Sequence, residues 1–272
     1  FRVMPSFPKL KLETITSPHT GILKEIPDMV SVLPQLQRFM GPKARKYFEQ
    51  DKSPFVVGRR LLTLTSAGPN SKSQLEGYPI DAKALSEKPS LLDTYKKFCL
   101  QTSHRSLWLK LQGELDAWRK HKAQDLVKET LEAAPLKLGK LALKFEAAGK
   151  VRVFAMVDGW TQSVLKALHH ALFDILSNIP QDGTFNQLEP VHQLHKKGHK
   201  EFYSFDLSAA TDRLPIELQV QVLSYLWQNE ETAKLWRDLL CDRDYHLEDS
   251  RYPDKSAAYR YAVGQPMGAL SS

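Results

Sequence analysis

Helical spacing of apolar side chains dominates the first half of the chain. Within residues 91–131, apolar positions recur three or four residues apart, which predicts a helix with one buried stripe. The members of this stripe are Leu107, Trp108, Leu111, Leu115 and Trp118. Shorter helical patterns occupy residues 29–39 and 43–48, and a cluster of glycine, proline and serine at 63–78 predicts a loop. The first half is therefore predicted to be mainly helix and loop, with the tryptophans of the stripe in the core.

A strand and a helix are predicted where the second half begins. The β-branched, apolar run at residues 151–157 predicts a strand. Asp158 or Thr161 can cap the helix that follows, whose apolar positions lead up to Pro180. Strand and helix patterns thus mix from this point onward, which favours an α+β fold.

Two further strands and a helix are predicted in the last quarter of the chain. The run FYSFDL at residues 202–207 predicts a strand with an acidic residue at its end. Pro215 stands where proline is tolerated at the start of a helix, and the helical pattern extends to about residue 240. Residues 245–247 and 259–263 predict the two arms of a β-hairpin around a polar loop.

Composition and charge add an expected class of partner. The chain has 272 residues, of which 42% are hydrophobic and 25% are charged, and these proportions are typical of a globular protein. Its formal net charge is +7, so an anionic partner such as nucleic acid is favoured, although charge alone does not exclude a merely basic protein. No apolar run approaches the length of a membrane span.

Two segments carry side chains suited to phosphate chemistry. Lys150 and Arg152 stand two apart on the predicted strand and share a face, with Lys144 upstream, so they can hold a triphosphate. Asp206 ends a predicted strand, and Asp212 follows past a turn of small residues, so both carboxylates can approach one Mg²⁺. Each segment alone also fits a plainer interpretation, namely a solvated basic strand face or an acidic helix cap.

A third segment, GQPMGALSS at residues 264–272, combines glycines with serines. Its two glycines frame a short loop in which backbone can approach a ligand closely. The serines that follow could cap a helix or bond a ribose or phosphate. Taken alone, this segment predicts only a turn followed by the start of a helix.

In this order the three segments resemble motifs F, A and B of right-hand RNA-dependent RNA polymerases, and most closely those of mitoviruses. The runs that carry the resemblance are AAGKVRVFAMVD at 147–158, DLSAATDRLP at 206–215 and GQPMGALSS at 264–272. The run TSAGPN at 65–70 and the pair Asp81-Ala82 are also similar to the N-terminal part of that family. The resemblance implies an α+β right-hand polymerase fragment, with mostly helical fingers and an incomplete antiparallel palm sheet.

The resemblance also implies a division of the chain into three parts. Residues 1–137 would form a mainly helical N-terminal and fingers region. Residues 138–200 would complete the fingers with the motif F strand and its helix. Residues 201–272 would form a partial palm, from motif A to the start of motif B.

Roles in nucleotide binding follow from the resemblance residue by residue. Lys144, Lys150 and Arg152 would steer the incoming triphosphate and the leaving pyrophosphate. Asp206 would bind the catalytic metals, Mg²⁺ or Mn²⁺. Asp212 would read the 2′-hydroxyl of the ribose as a hydrogen-bond acceptor. The implied partners are an RNA template, nascent RNA and ribonucleoside triphosphates, and the implied compartment is the mitochondrion.

The resemblance assigns the third segment to the template side of the site. Gly268 would let the loop move with the template, and Ser271 and Ser272 would lie near the nascent base pair. The Gly-Asp-Asp of motif C does not occur in the 272 residues. We therefore expect that this chain alone does not polymerise, that its motif A strand lacks a neighbour and leaves the palm end poorly ordered, and that a partner chain would have to supply the rest of the palm and the thumb.

Other functions stay open at the level of sequence. The chain could be a non-catalytic RNA-binding remnant, or a functionless product of a viral sequence captured in a host genome. A reverse transcriptase of the intron type is a further alternative, but such enzymes place a bulky aromatic residue near the sugar, whereas Asp212 favours ribonucleotides. The histidine-rich run at 191–200 lacks a neighbouring acid or cysteine, so it is interpreted as a solvated or RNA-facing basic loop rather than a metal site.

Overall fold

Helices are the predominant regular structure in the part of the chain that the computed structural model describes, namely residues 7–19, 31–41, 44, 48, 61–62, 66–120 and 135–271. The helices are α1 Glu13–Thr16, α2 Leu33–Met40, α3 Gln74–Ser86, α4 Pro89–Gln101, α5 Arg105–Arg119, α6 Gly159–Leu176, α7 Glu189–Lys196, α8 Ala210–Arg213, α9 Ile216–Trp227 and α10 Glu230–Cys241. The strands are β1 Gly139–Glu146, β2 Lys150–Val157, β3 Tyr245–Leu247 and β4 Ala257–Tyr259. The predicted mixed α+β class is confirmed.

The four strands form one sheet in the order β2-β1-β3-β4. β1 and β2 form an antiparallel hairpin, and β3 and β4 form a second one. The two hairpins are joined by parallel pairing of Lys140 and Leu141 in β1 with His246 and Leu247 in β3. The strand predicted at 151–157 and the hairpin after residue 245 are therefore confirmed, although the second arm lies at Ala257–Tyr259 rather than at 259–263. The sheet is mixed, whereas a purely antiparallel one was expected.

Two long predicted helices are each divided in the structure. Within residues 91–131, α4 and α5 are separated by a turn in which Ser103 has φ +60°. The hydroxyl of Thr102 (2.6 Å) and its backbone N–H (3.0 Å) both donate to the carbonyl of Phe98, so this helix acceptor is satisfied twice at the break. The predicted helix from Pro215 to about residue 240 is likewise divided into α9 and α10. Part of the first pattern, residues 121–134, lies outside the described residues.

Asn229 explains where the second division falls. Gln228 adopts the left-handed conformation at φ +53° and ends α9. The Asn229 side chain then accepts from the backbone N–H of Thr232 (3.1 Å), which caps α10.

Two smaller differences concern the first half of the chain. The loop predicted at 63–78 ends where α3 begins at Gln74, and the pattern at 43–48 falls mostly outside the described residues.

The helical stripe predicted in the first half is buried. Leu107, Leu111, Leu115 and Trp118 all point into the core, while Trp108 packs against it half-buried. The same core continues through α6, α9 and α10 and reaches β1 and β3. No helix among the described residues is both long enough and apolar enough to cross a bilayer.

A buried polar cluster joins the helices to the sheet. The side chain of Asp158 caps α6 by accepting from the N–H of Thr161 (2.8 Å) and forms an ion pair with Arg243 (2.6 Å). Arg243 also donates to the carbonyl of Leu138, just before β1 (2.8 Å). Asp81 in α3 accepts from the N–H of Gly159 (2.8 Å). This cluster fixes the start of α6 and the ends of the strands around it.

Residues 202–207 form no strand, so the strand predicted there is wrong. Tyr203, Phe205 and Leu207 are 79%, 89% and 73% exposed, respectively. The alternation that suggested a strand needs a pairing neighbour and a covering layer, and the described residues provide neither for this segment. Residues 216–261, which also belong to the expected palm, contribute well-buried side chains to the core.

Candidate active site

A cleft of about 280 Å³ opens where the three segments singled out in the sequence meet. β2 forms one wall, the turn at the start of α8 forms a second, and Met267 closes one side. An N-terminal segment that sequence reasoning did not include contributes the remaining wall. The lining residues are Lys11, Thr14, Val151, Arg152, Val153, Ala209, Ala210, Thr211, Asp212 and Met267.

The three predicted cations share one exposed face of the β1–β2 hairpin. Lys144 lies directly opposite Arg152, and Lys150 lies opposite Glu146, so the four side chains form a patch on one side of the two strands. Lys144, Lys150 and Arg152 are all exposed. Arg152 also lines the cleft, and its guanidinium pairs with Glu146 (3.1 Å). The hairpin therefore presents positive charge at the mouth of the cleft.

Asp212 is half-buried in the wall that the turn at the start of α8 forms. Its Oδ2 accepts a hydrogen bond from the Thr14 hydroxyl (2.9 Å). Burial raises the pKa of Asp212 above its ordinary value, while the Thr14 hydrogen bond and the nearby Arg213 partly offset that rise. The turn that brings Asp212 to the cleft begins at Ala209, which adopts the left-handed conformation at φ +52°.

The third segment closes the cleft by pairing with both other segments through its backbone. The N–H groups of Gly264 and Gln265 donate to the carbonyls of Asp212 (2.9 Å) and Thr211 (3.0 Å), and the carbonyl of Met267 accepts from Ala155 in β2 (2.6 Å). A Cβ on Gly264 would lie 2.1 Å from the carbonyl oxygen of Thr211. Glycine is therefore required at this position because backbone passes backbone.

Gly268 and Ser271 hold the same loop against the helical part. Gly268 has φ +114°, and a Cβ there would lie 2.6 Å from the carbonyl oxygen of Ala155. The amide of Gln162 donates to the carbonyl of Gly268 (3.3 Å) and accepts from the N–H of Leu270 (2.8 Å). Ser271 is buried, and its hydroxyl accepts from the indole N–H of Trp236 (2.9 Å). Ser272 lies outside the described residues.

Asp206 is not brought to the cleft with Asp212. It lies in the exposed segment at 201–207, outside the cleft lining. No group of three or more histidine, cysteine, aspartate or glutamate side chains that could hold a metal ion occurs among the described residues. One carboxylate at the cleft is a poor match for Mg²⁺ in a phosphoryl-transfer site, so the described residues do not fit a complete catalytic metal centre.

Sequence reasoning missed Lys11 and Thr14. Both lie about two hundred positions before Asp212, and no spacing or composition within residues 1–19 links them to it. Gln162, by contrast, belongs to a run that directly follows the strand at 151–157. A sequence signal existed only for the segments that are continuous with the predicted motifs.

Comparisons with known proteins identify relatives of this chain. A family model described as mitovirus RNA-dependent RNA polymerase matches residues 56–272. The chain is 33% identical over 277 residues to the RNA-directed RNA polymerase of Cryphonectria parasitica mitovirus 1, and the match covers all of this chain and 31% of that protein. Two uncharacterized mitochondrial proteins of Arabidopsis thaliana are 47% identical over 98 residues and 30% identical over 90 residues. These matches cover 36% and 33% of this chain, and 38% and 43% of those proteins. No solved structure matches the chain significantly.

Proposed function

Because the chain belongs to the mitovirus RNA-dependent RNA polymerase family, we propose that its cleft binds the ribonucleoside triphosphate used in template-directed RNA synthesis. One observation carries this proposal. Three segments that are far apart in the sequence, and that each resemble a polymerase motif, line or close a single cleft whose lining includes both Arg152 and Asp212. A cation and a hydrogen-bond acceptor in one cleft suit the triphosphate and the ribose of a nucleotide.

The triphosphate lies on the β1–β2 hairpin in this proposal. Arg152 grips phosphate oxygens through two parallel N–H donors, while Lys144 and Lys150 act as point charges on the same face. All three side chains are exposed, so phosphate replaces water around them, and around Arg152 it also replaces Glu146. No buried charge is left without a partner.

The ribose lies against Asp212. A carboxylate has several acceptor positions, so Asp212 can hold the Thr14 hydroxyl and a 2′-hydroxyl at the same time. An acceptor at the sugar favours ribonucleotides over deoxyribonucleotides, since only the former bring the matching donor. Gly268, Ser271 and Ser272 belong to the loop that would face the template and the nascent base pair, with Ser271 bound to Trp236 in the present arrangement.

Polymerisation requires more protein than this chain contributes to the site. The chain spans less than a third of the length of the mitovirus polymerase to which it is similar. Asp206 stands outside the cleft, so the described residues do not complete a site for the Mg²⁺ or Mn²⁺ that polymerases of this kind use. We assign metal binding by Asp206, and bond formation, to an assembly in which further polypeptide covers residues 201–207. The two plant relatives are mitochondrial proteins, which supports a mitochondrial location, and the similarity of one chain to both plant and viral proteins supports a captured viral sequence as its origin.

Binding of GTP to the 272-residue protein, measured by calorimetry, tests this function. Arg152→Ala should weaken binding about tenfold, because it removes charge-assisted hydrogen bonds to phosphate. Arg260→Ala is a control, since Arg260 is also an exposed arginine in surface ion pairs, with Asp244 and Asp242, and lies outside the cleft. An equal effect of both substitutions, or the absence of GTP binding in the unaltered protein, would refute the proposed cleft.

Primer extension separates the polymerase function from its alternative. We expect no incorporation by this protein alone with Mg²⁺ or Mn²⁺, and robust extension would refute our account of the incomplete metal site. The alternative is a non-catalytic RNA-binding remnant, which the exposed lysines of the hairpin favour. It predicts RNA binding that weakens steeply with salt, without measurable binding of a free nucleotide.

A further inference from the structure

The N-terminal arm, residues 7–19, is hydrogen-bonded to α8 and to the residues that precede the loop at 264–271. Arg213 donates to the carbonyl of Ser17 (2.6 Å) and also reaches the carbonyl of Pro18 (3.2 Å). The N–H of Ala262 donates to the carbonyl of Ile15 (3.0 Å). These contacts tie the arm to α8 and to the residue two positions before the loop at 264–271.

Apolar burial holds the same arm in place. Leu10, Leu12 and Ile15 are 4%, 6% and 1% exposed, so each has its side chain in the main core. The hydroxyl of Tyr252 donates to the carbonyl of Pro8 (2.6 Å), which fixes the first described turn of the arm. Four hydrogen bonds and three buried side chains thus hold the arm in place, so its remaining polar side chains occupy defined positions.

Two of those polar side chains face the cleft. Thr14 and Lys11 both line it, together with Arg152 and Asp212. The Thr14 hydroxyl donates to Asp212 across 198 positions of sequence. Lys11 is exposed and adds a further cation to the cleft lining. The family model begins at residue 56, so it assigns no role to this arm.

We infer that the arm forms a third wall of the nucleotide site, in which Thr14 positions the Asp212 carboxylate for the ribose and Lys11 contacts the triphosphate. This inference rests on the proposed function of the cleft. A free aspartate could rotate about its side-chain bonds, whereas the Thr14 hydroxyl ties down one oxygen and leaves the carboxylate aimed along one direction. Thr14 is thus a positioning residue for sugar selection, and Lys11 is a binding residue that is indifferent to the sugar.

The two roles predict different effects on nucleotide binding. Unaltered protein should bind GTP about tenfold more tightly than its 2′-deoxy analogue, as expected for one hydrogen bond to a charged acceptor. Thr14→Val should lower that ratio to about twofold, because the carboxylate loses its tether. Thr14→Ser keeps the hydroxyl and should restore the ratio. Lys11→Ala should weaken both nucleotides by the same factor, about fivefold, and leave the ratio unchanged.

Neighbouring residues provide matched controls. Thr16 stands two positions from Thr14 in α1, is exposed, and bonds only its own helix through the carbonyl of Leu12 (3.2 Å). Lys9 stands two positions from Lys11 and is also exposed, but does not line the cleft. Thr16→Val and Lys9→Ala should leave both affinities unchanged.

Calorimetric titration of these variants of the full chain with GTP and 2′-deoxy-GTP tests whether Thr14 positions Asp212 and whether Lys11 binds the triphosphate. Loss of the sugar preference in Thr14→Val and its recovery in Thr14→Ser would support the inference. A preference that persists in Thr14→Val would overturn the role of the arm and leave the proposed nucleotide site intact. Absence of binding, or of any sugar preference, in the unaltered protein would overturn the proposed function and the inference with it.

Discussion

Arg243 and Asp158 form an ion pair in which both side chains are fully buried. Arg243 also donates to the carbonyl of Leu138 and to the hydroxyl of Thr161. Such a pair contributes little net stability compared with an apolar replacement of both partners, but loss of one partner leaves a buried charge without compensation. The pair therefore acts mainly by fixing the start of α6 relative to the end of β2 and the start of β1.

Replacement of Arg243 alone should be strongly destabilising. Arg243→Met leaves the Asp158 carboxylate buried and unpaired, so we expect the free energy of unfolding to fall by about 3–5 kcal/mol in urea titrations. Arg260→Met is the matched control, because Arg260 pairs with Asp244 at the surface and such pairs contribute less than about 1 kcal/mol. Equal losses in the two variants would show that the buried pair has no special role.

Asp81 gives the same cluster a dependence on pH. Burial, and then the neighbouring Asp158, raise the pKa of Asp81 from its ordinary value to about 7. Between about pH 4 and pH 7 the folded chain therefore holds a proton that the unfolded chain has released, so stability should decrease as pH rises through this window. Asp81→Asn removes the titration.

Unfolding free energies of the unaltered protein and Asp81→Asn at several pH values test this dependence. The variant should be less stable at every pH, because both partners of the Asp81 carboxyl group, the amide of Asn70 and the N–H of Gly159, are donors. The side-chain NH₂ of asparagine would face one of them, and two donors cannot form a hydrogen bond. The gap between the two proteins should nevertheless narrow by roughly 1–3 kcal/mol as pH rises from 5 to 8. A gap that is constant across this range would show that Asp81 does not titrate there.

At the scale of elements, the loop at 264–271 is where three segments are joined through backbone contacts. Gly264→Ala would place a Cβ 2.1 Å from the carbonyl oxygen of Thr211, so the loop or α8 must shift. We expect a loss of about 1–3 kcal/mol in unfolding free energy, as for other overpacked sites. GTP binding should weaken as well, since the shift displaces Asp212.

Gly113 provides the opposite case for comparison. It lies within α5, and nothing lies within 4 Å of a Cβ built there. Gly113→Ala should therefore stabilise the protein by about 0.5–1 kcal/mol through the better helix propensity of alanine. If Gly264→Ala stabilised the protein as Gly113→Ala is expected to do, the backbone of Thr211 could not lie as close to Gly264 as the structure places it.

Sequence pattern identified elements whose partners are close in the chain. The stripe through Leu107 and Trp118, the strand at 151–157 and the cap at Asp158 depend on local spacing, and the structure confirms them. Breaks in the long helices were missed, because Ser103 and Gln228 carry no strong local signal for a left-handed turn. The Thr14–Asp212 bond could not be predicted, since its two residues are joined only by tertiary packing.

At the scale of the whole molecule, the exposed segment at 201–207 lies between α6 and α9, two helices whose side chains belong to the core. In an extended conformation, the side chains of Tyr203, Phe205 and Leu207 would share one face, because alternate positions of a strand point the same way. All three are highly exposed here. The same segment carries Asp206, so the residue that the family resemblance assigns to metal lies in a segment that the described residues leave exposed.

Phe205 and Leu207 should therefore contribute almost nothing to the stability of this chain. Phe205→Ser and Leu207→Ser should change the free energy of unfolding by less than about 0.5 kcal/mol, because neither side chain has burial to lose. Leu223→Ser in α9 is the control: Leu223 is 5% exposed, and the substitution should cost roughly 2–5 kcal/mol. Hydrogen exchange gives a second measurement, in which amides at 202–207 exchange quickly and those of α9 are protected. A large loss of unfolding free energy in Phe205→Ser or Leu207→Ser, or strong protection of these amides, would mean that the segment already pairs as a strand. Asp206 could then lie in the nucleotide site without any further polypeptide.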